Sequence, residues 1–191
     1  MAIPVSELQS LTNKSIIELY SLTLFSSLHG QSSVTRFHSG VSMNSNADIV
    51  WQGNTYTKYP ITAEGFEFSG QGTLPRPTLT ASNILGTITA LMATVNATTP
   101  FNDLQGAKFI RHRTMAQFLD AVNFPSNINP FGTPSSTTEL PQEIYYVNQK
   151  TLENREKVIF ELVSALDLQG VRVPKKQVLD TDFPAVGLFV G

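Results

Sequence analysis

Three histidines, His29, His38 and His112, are the candidates for imidazole chemistry, and they stand 9 and 74 positions apart. Helix-borne and finger-type metal sites need closely spaced ligand pairs, so no pair here has local metal-ligand spacing and the rings are expected to be exposed or hydrogen-bonded. No cysteine occurs, which excludes disulfides, thiolate zinc sites and cysteine-held iron–sulfur clusters within these residues. Serine, histidine and aspartate are all present without a G-x-S-x-G elbow, so a hydrolase triad has no local support. Glu64 and Glu67 are three apart on a predicted strand, where odd spacing sends them to opposite faces and away from joint acid/base work. Gly70-Gln71-Gly72 is followed by neither a third glycine nor a helix and reads as a turn, not a phosphate cradle. The expected chemistry is none: no catalytic residue, no metal and no cofactor.

The basic residues leave a binding role open. Lys108, Arg111, His112 and Arg113 fall on one predicted strand. Sequence-blind binding of nucleic acid takes a wider basic surface with stacking aromatics, and a formal net charge of −2 supplies no field for phosphates. A solvated face or ion pairs across subunits are the expected uses, with no sequence-specific nucleic-acid binding. Arg76 lies between Pro75 and Pro77, a rigid setting that either presents a guanidinium to a partner carboxylate or leaves an ordinary exposed side chain on a loop. The candidate interface residues are therefore Arg76, Arg111 and Arg113, joined below by Phe124 and Phe131.

These side chains must be positioned by strands. Val50-Trp51-Gln52 and Thr55-Tyr56-Thr57 flank Gly53-Asn54, a two-residue loop that tolerates positive φ, so a hairpin is predicted there. Residues 16–25 are β-branched, aromatic and almost continuously apolar, as in a strand buried on both sides. Residues 26–33 read as a loop and 34–38 as a short strand. Phe66 and Phe68 alternate on a further strand. Ser82-Asn83 can cap a helix whose stripe is Ile84, Ile88, Leu91, Met92 and Val95. Residues 107–120 read as one long strand with a bulge or bend. Two more strands cover 143–149 and 157–165, with Val158, Phe160 and Leu162 on one face. Ile17, Leu19, Phe66, Phe68, Ile88, Leu91, Phe160 and Leu162 are expected in a single core. Between them, residues 122–141 hold four prolines and many polar residues, yet also Phe124 and Phe131, which a purely solvated linker has little reason to expose; the segment reads as a long loop and an interface arm. The sum is a mainly β domain with one α-helix, an antiparallel barrel or sandwich over residues 1–175, with an extended tail over 176–191.

A chain of 191 residues, 41% hydrophobic and 15% charged, can bury one sizeable core. No apolar run approaches the roughly 20 residues needed to cross a bilayer, and the first residues lack both a basic and an apolar signal region, so no membrane partner is expected and assembly in the producing cell's cytoplasm is.

The stretch 50–83, from the Trp51 hairpin through Gly70-Gln71-Gly72 and Pro75-Arg76-Pro77, resembles the N-terminal region of the minor tail protein L family of lambda-like phages with long, non-contractile tails. Arg111-His112-Arg113 followed by Gln117-Phe118-Leu119-Asp120-Ala121-Val122-Asn123-Phe124 is similar to the same family's next strand. The likeness is strongest over 51–124 and weaker at 16–24 and at Asp182-Phe183-Pro184. It implies a tail hub-type domain: a virion structural protein at the distal end of the tail, forming a ring with copies of itself between the tube-end protein and the central hub or fibre. It suggests three-fold or six-fold order, with no residue encoding the choice. It also implies a cysteine-rich C-terminal domain holding an iron–sulfur cluster, for which these residues contain no ligand; either this relative lacks that domain or the chain is a fragment. The alternative function is a carbohydrate-binding module contacting the host surface, with Trp51, Tyr56 and Tyr59 as a stacking platform on the β scaffold. A hydrolase acting on the cell envelope has no support in the residues.

Overall fold

The computed structural model describes residues 2–9, 15–40, 48–67, 74–84 and 86–167. A short helix α1 (Val5–Leu8) precedes the long strand β1 (Ile16–Leu24), a helical turn α2 (Ser26–His29) and β2 (Ser33–His38). The hairpin β3 (Ile49–Trp51) and β4 (Asn54–Lys58) is followed by β5 (Ile61–Glu64), β6 (Thr78–Ser82), helix α3 (Thr87–Thr98) and β7 (Lys108–Met115). Three 3₁₀ turns between 116 and 127 lead to β8 (Glu143–Glu153) and β9 (Lys157–Val163). The strands form one sheet in the order β3-β4-β2-β1-β7-β8-β9-β6-β5, antiparallel throughout except for β2 beside β4.

The sheet curls without closing. Tyr59 and Pro60 alone separate β4 from β5, although these strands lie near opposite margins of the sheet. Tyr59 N–H donates to the His38 carbonyl at 3.0 Å and Pro60 O accepts from Ser82 N–H at 2.9 Å, so consecutive residues bond to β2 and to β6. That crossing draws the two margins together around an apolar interior.

β1 is buried on both faces, as its composition predicts. Tyr20, Leu22 and Leu24 join Phe37, Leu79, Phe109, Val147, Val158, Phe160 and Leu162 inside the curl, where Met92 and Val95 of α3 pack on them. On the outer face, Ile17 and Leu19 pack with Ile49, Trp51 and Tyr56 of the hairpin and with Ala116, Leu119 and Phe124. The single core expected from the sequence is therefore two, separated by the sheet itself. Ile17 and Leu19 belong to the second and Phe160 and Leu162 to the first; Phe66, Ile88 and Leu91 are half-buried at the edge of the first, and Phe68 lies outside the described residues, as do Gly70-Gln71-Gly72, residues 168–174 and the 176–191 tail.

Several boundaries differ from the sequence reading. The hairpin loop is Gln52-Gly53, one residue earlier, because Trp51 pairs with Asn54; φ of +54° and +70° at the two loop residues gives the twist a two-residue hairpin requires. Helix α3 starts after Gly86, not at Ser82-Asn83, and Ile84 is 77% exposed and off the stripe. Asn83 is committed elsewhere: its amide nitrogen donates to Asn154 O and to Thr89 Oγ1, fixing the chain to the β8–β9 turn. Residues 26–29 form a helical turn within the expected loop. β7 ends at Met115, so the change of side-chain phase is the strand's end and not a bulge; the irregular pairing lies instead in β8, after Val147 and after Lys150.

Residues 122–141 are less free than a long polar loop suggests. Asn123 accepts from Val50 N–H at 2.7 Å and donates to Val50 O at 2.6 Å, so its carboxamide takes the place of a neighbouring strand along the β3 edge. Asn129 reaches the carbonyls of Ala116, Gln117 and Leu119. Glu139 N–H donates to Ala2 O, tying the loop's far end to the N-terminal segment.

The Phe160→Ala variant is expected to lose about 3–5 kcal/mol in urea unfolding, since it empties the centre of the inner core, whereas Phe66→Ala at the core's edge should lose clearly less. Equal losses would place Phe66 in the core proper.

Candidate functional site

Alternation along β7 divides the basic cluster. Arg111 and Arg113 share the face of Phe109, whereas His112 points to the outer core. Arg111 bonds Glu18 on β1 and Glu143 on β8, the latter at 3.0 Å, and lies 4.5 Å over the Phe66 ring. Arg113 meets Glu143 at 2.7 Å, and Tyr20 O–H donates to the Glu18 carboxylate at 2.8 Å. These are cross-strand and diagonal pairs on adjacent strands, close enough to hold the ends of β1, β7 and β8 in register. Both guanidiniums are thus neutralised within the chain, and ion pairs to another subunit are not needed to account for them. Arg76 is likewise engaged, with Glu161 at 3.0 Å and Asp167 at 2.7 Å, although more than half of its side chain is exposed.

Burial alone would raise the Glu18 pKa, but the hydrogen bonds from Arg111 and Tyr20, with the charges of Arg111 and Arg113, hold it below the ordinary 4.5. Tyr20 is pushed the other way by burial and by the carboxylate beside it.

The outer face holds an arrangement with no local sequence signal. His112 Nδ1 lies 3.1 Å from Glu139 Oε2, and its Nε2 lies 3.3 Å from Ser21 Oγ. In the neutral tautomer Nδ1–H donates to the carboxylate and Nε2 accepts from the serine, the order of a serine hydrolase relay. The residues come from β1, β7 and the 122–141 loop, 91 and 27 positions apart, which is why no motif announces them. Ser21 is 5% exposed in mid-strand, and neither the cavity beneath α3 nor those beside Glu143 and Leu28 are lined by Ser21, His112 or Glu139. The hydroxyl is committed to His112 within the packed outer layer. Trp51 and Tyr56 close over the ring edge-on, so the relay serves to anchor Glu139, and the loop with it, to the sheet.

The other histidines are buried and bonded. His29 Nδ1 accepts from Phe25 N–H while Nε2–H donates to Gln105 O, and His38 Nδ1 accepts from Gly40 N–H. Among the described residues no three His, Asp or Glu side chains converge as a metal site. With no cysteine in the chain, the residues present do not fit an iron–sulfur cluster.

Of the loop phenylalanines, Phe124 is 3% exposed and belongs to the outer core, which removes it from the available surface; the sequence reading missed this because its contacts, Trp51 and Leu119 among them, come from the hairpin and the turn after β7. Phe131 stays half-exposed with its ring 5.8 Å from that of Phe124. Val122 and Ile128 beside them are exposed. Trp51 and Tyr56 are buried and cannot stack on a sugar, which dismantles the aromatic platform expected of a carbohydrate module. A cavity of about 480 Å³ lies between α3 and the sheet interior and is lined by Leu22, Phe37, Ile61, Leu79, Leu91 and Phe160 among others.

The family model for phage minor tail protein L matches residues 28–184, most of the chain and all of the strands from β2 to β9. This chain belongs to the phage minor tail protein L family. It is also similar to the tail tip protein L of Escherichia phage lambda, 42% identical over 86 residues. That stretch covers 45% of this chain and 34% of the relative, so the chain aligns with only about a third of the lambda protein's length. As a member of the minor tail protein L family the chain is a structural component of a phage tail, and the clusters above hold its framework together.

Acid should expose the Glu18 network. The folded pKa lies below the unfolded value of 4.5, so the unfolded chain binds the proton first as pH falls; the stabilisation is complete above that value and is lost as pH drops through the folded one. Unfolding free energy measured across this window should fall less steeply for Glu18→Gln than for the parent protein. An unchanged slope would mean that Glu18 gains nothing from Arg111.

Proposed function

We propose that this chain is a ring-forming subunit at the distal end of a phage tail, joining the tail tube to the central hub or fibre. Membership of the minor tail protein L family carries the reading, and the name of the lambda relative, a tail tip protein, supports the position. Copies of the chain and the tube-end and central hub or fibre proteins are its partners. A closed ring needs head-to-tail contacts repeated about an axis, and therefore two different exposed patches on each subunit.

One such patch is the arm formed by Val122, Ile128 and Phe131. Asn123 pins it to β3 and Asn129 to the turn after β7, so its exposed apolar side chains are held in place before a partner arrives, and little further ordering opposes their burial. In complementation of a phage lacking this protein, a Val122→Ser, Ile128→Ser double variant should fold with unaltered thermal stability yet yield few completed tails. Tails completed at the normal yield would remove the arm from the interface.

The chain acts without catalysis in this role. Incubation with peptidoglycan or lipopolysaccharide should release no fragments, and a fluorophosphonate should not label Ser21, whose Oγ is enclosed by the outer core. Release that survives purification and disappears in Ser21→Ala would overturn this and turn the buried relay into an active site.

A further inference from the structure

The curl of the sheet leaves a gap between two strand edges. β4 pairs with β2 only at Phe37 and His38, so among the described residues 33–36 have β1 on one side and no strand on the other. β5, last in the sheet, pairs with β6 alone. A strand edge keeps peptide N–H and C=O groups available to a further strand. The cavity of about 480 Å³ beneath α3 spans this gap, with Thr35 and Phe37 lining it from β2 and Ile61 from β5. Its floor is apolar, made by Leu22, Leu79 and Phe160. Its mouth is open, since Thr35, Thr57 and Thr94 on its lining are exposed. α3 turns Ile88 and Leu91 toward this space, and both stay half-buried there.

Edge and cavity together call for one kind of occupant: an extended segment whose backbone pairs with β2 and whose alternate side chains are apolar. The chain carries such a segment outside the described residues. Residues 185–190 read Ala185-Val186-Gly187-Leu188-Phe189-Val190, six residues without a charged or polar side chain, directly after Pro184. Alternation puts Val186, Leu188 and Val190 on one face, and proline is tolerated at the start of a strand. The other stretches outside the described residues hold no more than two apolar residues in succession. Residues 168–184 join this run to Asp167, and at about 3.3 Å per extended residue they reach on the order of 55 Å. A domain of this length is about 40 Å across, so the run can reach the groove of its own chain. The tether also gives it an effective concentration there that a neighbouring copy lacks.

We propose that residues 185–190 lie as a strand beside residues 33–36 of β2 in the same chain, filling the gap in the curl and placing Val186, Leu188 and Val190 in the cavity beneath α3. The contact is independent of the ring reading and of the 122–131 arm.

The lack of cysteine makes the test direct. Thr35→Cys, at the cavity's mouth, is combined in the full chain with Val186→Cys, Leu188→Cys or Val190→Cys, one at a time, so that each register is sampled. Control chains carry the same tail substitution with Val122→Cys, exposed on the outer layer. Intrachain disulfide is quantified by mass spectrometry after brief oxidation of dilute protein. At least one of the three pairs with residue 35 should close about ten-fold or more faster than its control, as expected when a contact concentrates the two thiols. Thr57→Cys, also exposed on the cavity lining, replaces Thr35→Cys should the latter unfold, with the same expected excess. Rates equal to control for all three pairs overturn the proposal. So does a disulfide that forms between chains in place of within one, which would give the groove to a neighbouring copy's segment. The ring reading is judged separately, by the arm variant's tail yield.

Discussion

A strand that is apolar on both faces has to be covered twice, and most of this molecule is what covers β1. Ile16–Leu24 has buried residues toward the curl and toward the hairpin alike. Left open on either side it would present a hydrophobic sheet face to water. The inner covering is made by curling the sheet until β6, β9 and α3 meet β1 and β2 across a shared interior. The outer covering is made by the β3–β4 hairpin and the turns after β7. The short Tyr59-Pro60 crossing links the two solutions, since the chain that leaves the outer hairpin begins the inner margin two residues later.

Charged and polar groups secure these layers and are consumed in doing so. Glu18, Arg111, Arg113 and Glu143 tie three neighbouring strands at the end of the inner core. Ser21, His112 and Glu139 tie the outer loop to the sheet. A buried carboxylate or guanidinium without a partner is expensive, so each pair is stable mainly because breaking it would strand the other member. In the relay the serine is only 5% exposed, so the geometry of the three side chains by itself says little about catalysis. Its likeness to a hydrolase triad follows from hydrogen-bond preference: an imidazole buried between a carboxylate and a hydroxyl adopts that order whatever its purpose.

The surface divides along similar lines. Where the backbone is ordinary, exposed apolar side chains are scattered and need no explanation. At the 122–131 arm and at the turn around Phe101, apolar side chains are exposed on backbone that several hydrogen bonds hold fixed.

Local pattern alone determined the mainly β class, the double burial of β1, the existence of the hairpin, the facing of Val158, Phe160 and Leu162, and a helical stripe ending in Met92 and Val95. Each depends on alternation, helical period or turn chemistry within a dozen neighbouring residues, and the likeness to the tail protein family rested on the same contiguous stretches. What tertiary structure decided was every matter of partnership: that one expected core is two, that Asn83 serves the β8–β9 turn and not a helix cap, that Phe124 is interior, that Trp51 and Tyr56 are sealed from any sugar, and that Arg76, Arg111 and Arg113 are spent on carboxylates of their own chain. Those outcomes depend on residues tens of positions apart being brought to adjacent strands, and the energy that decides them, desolvation against pairing, exists only once the sheet has curled and set the distance between them.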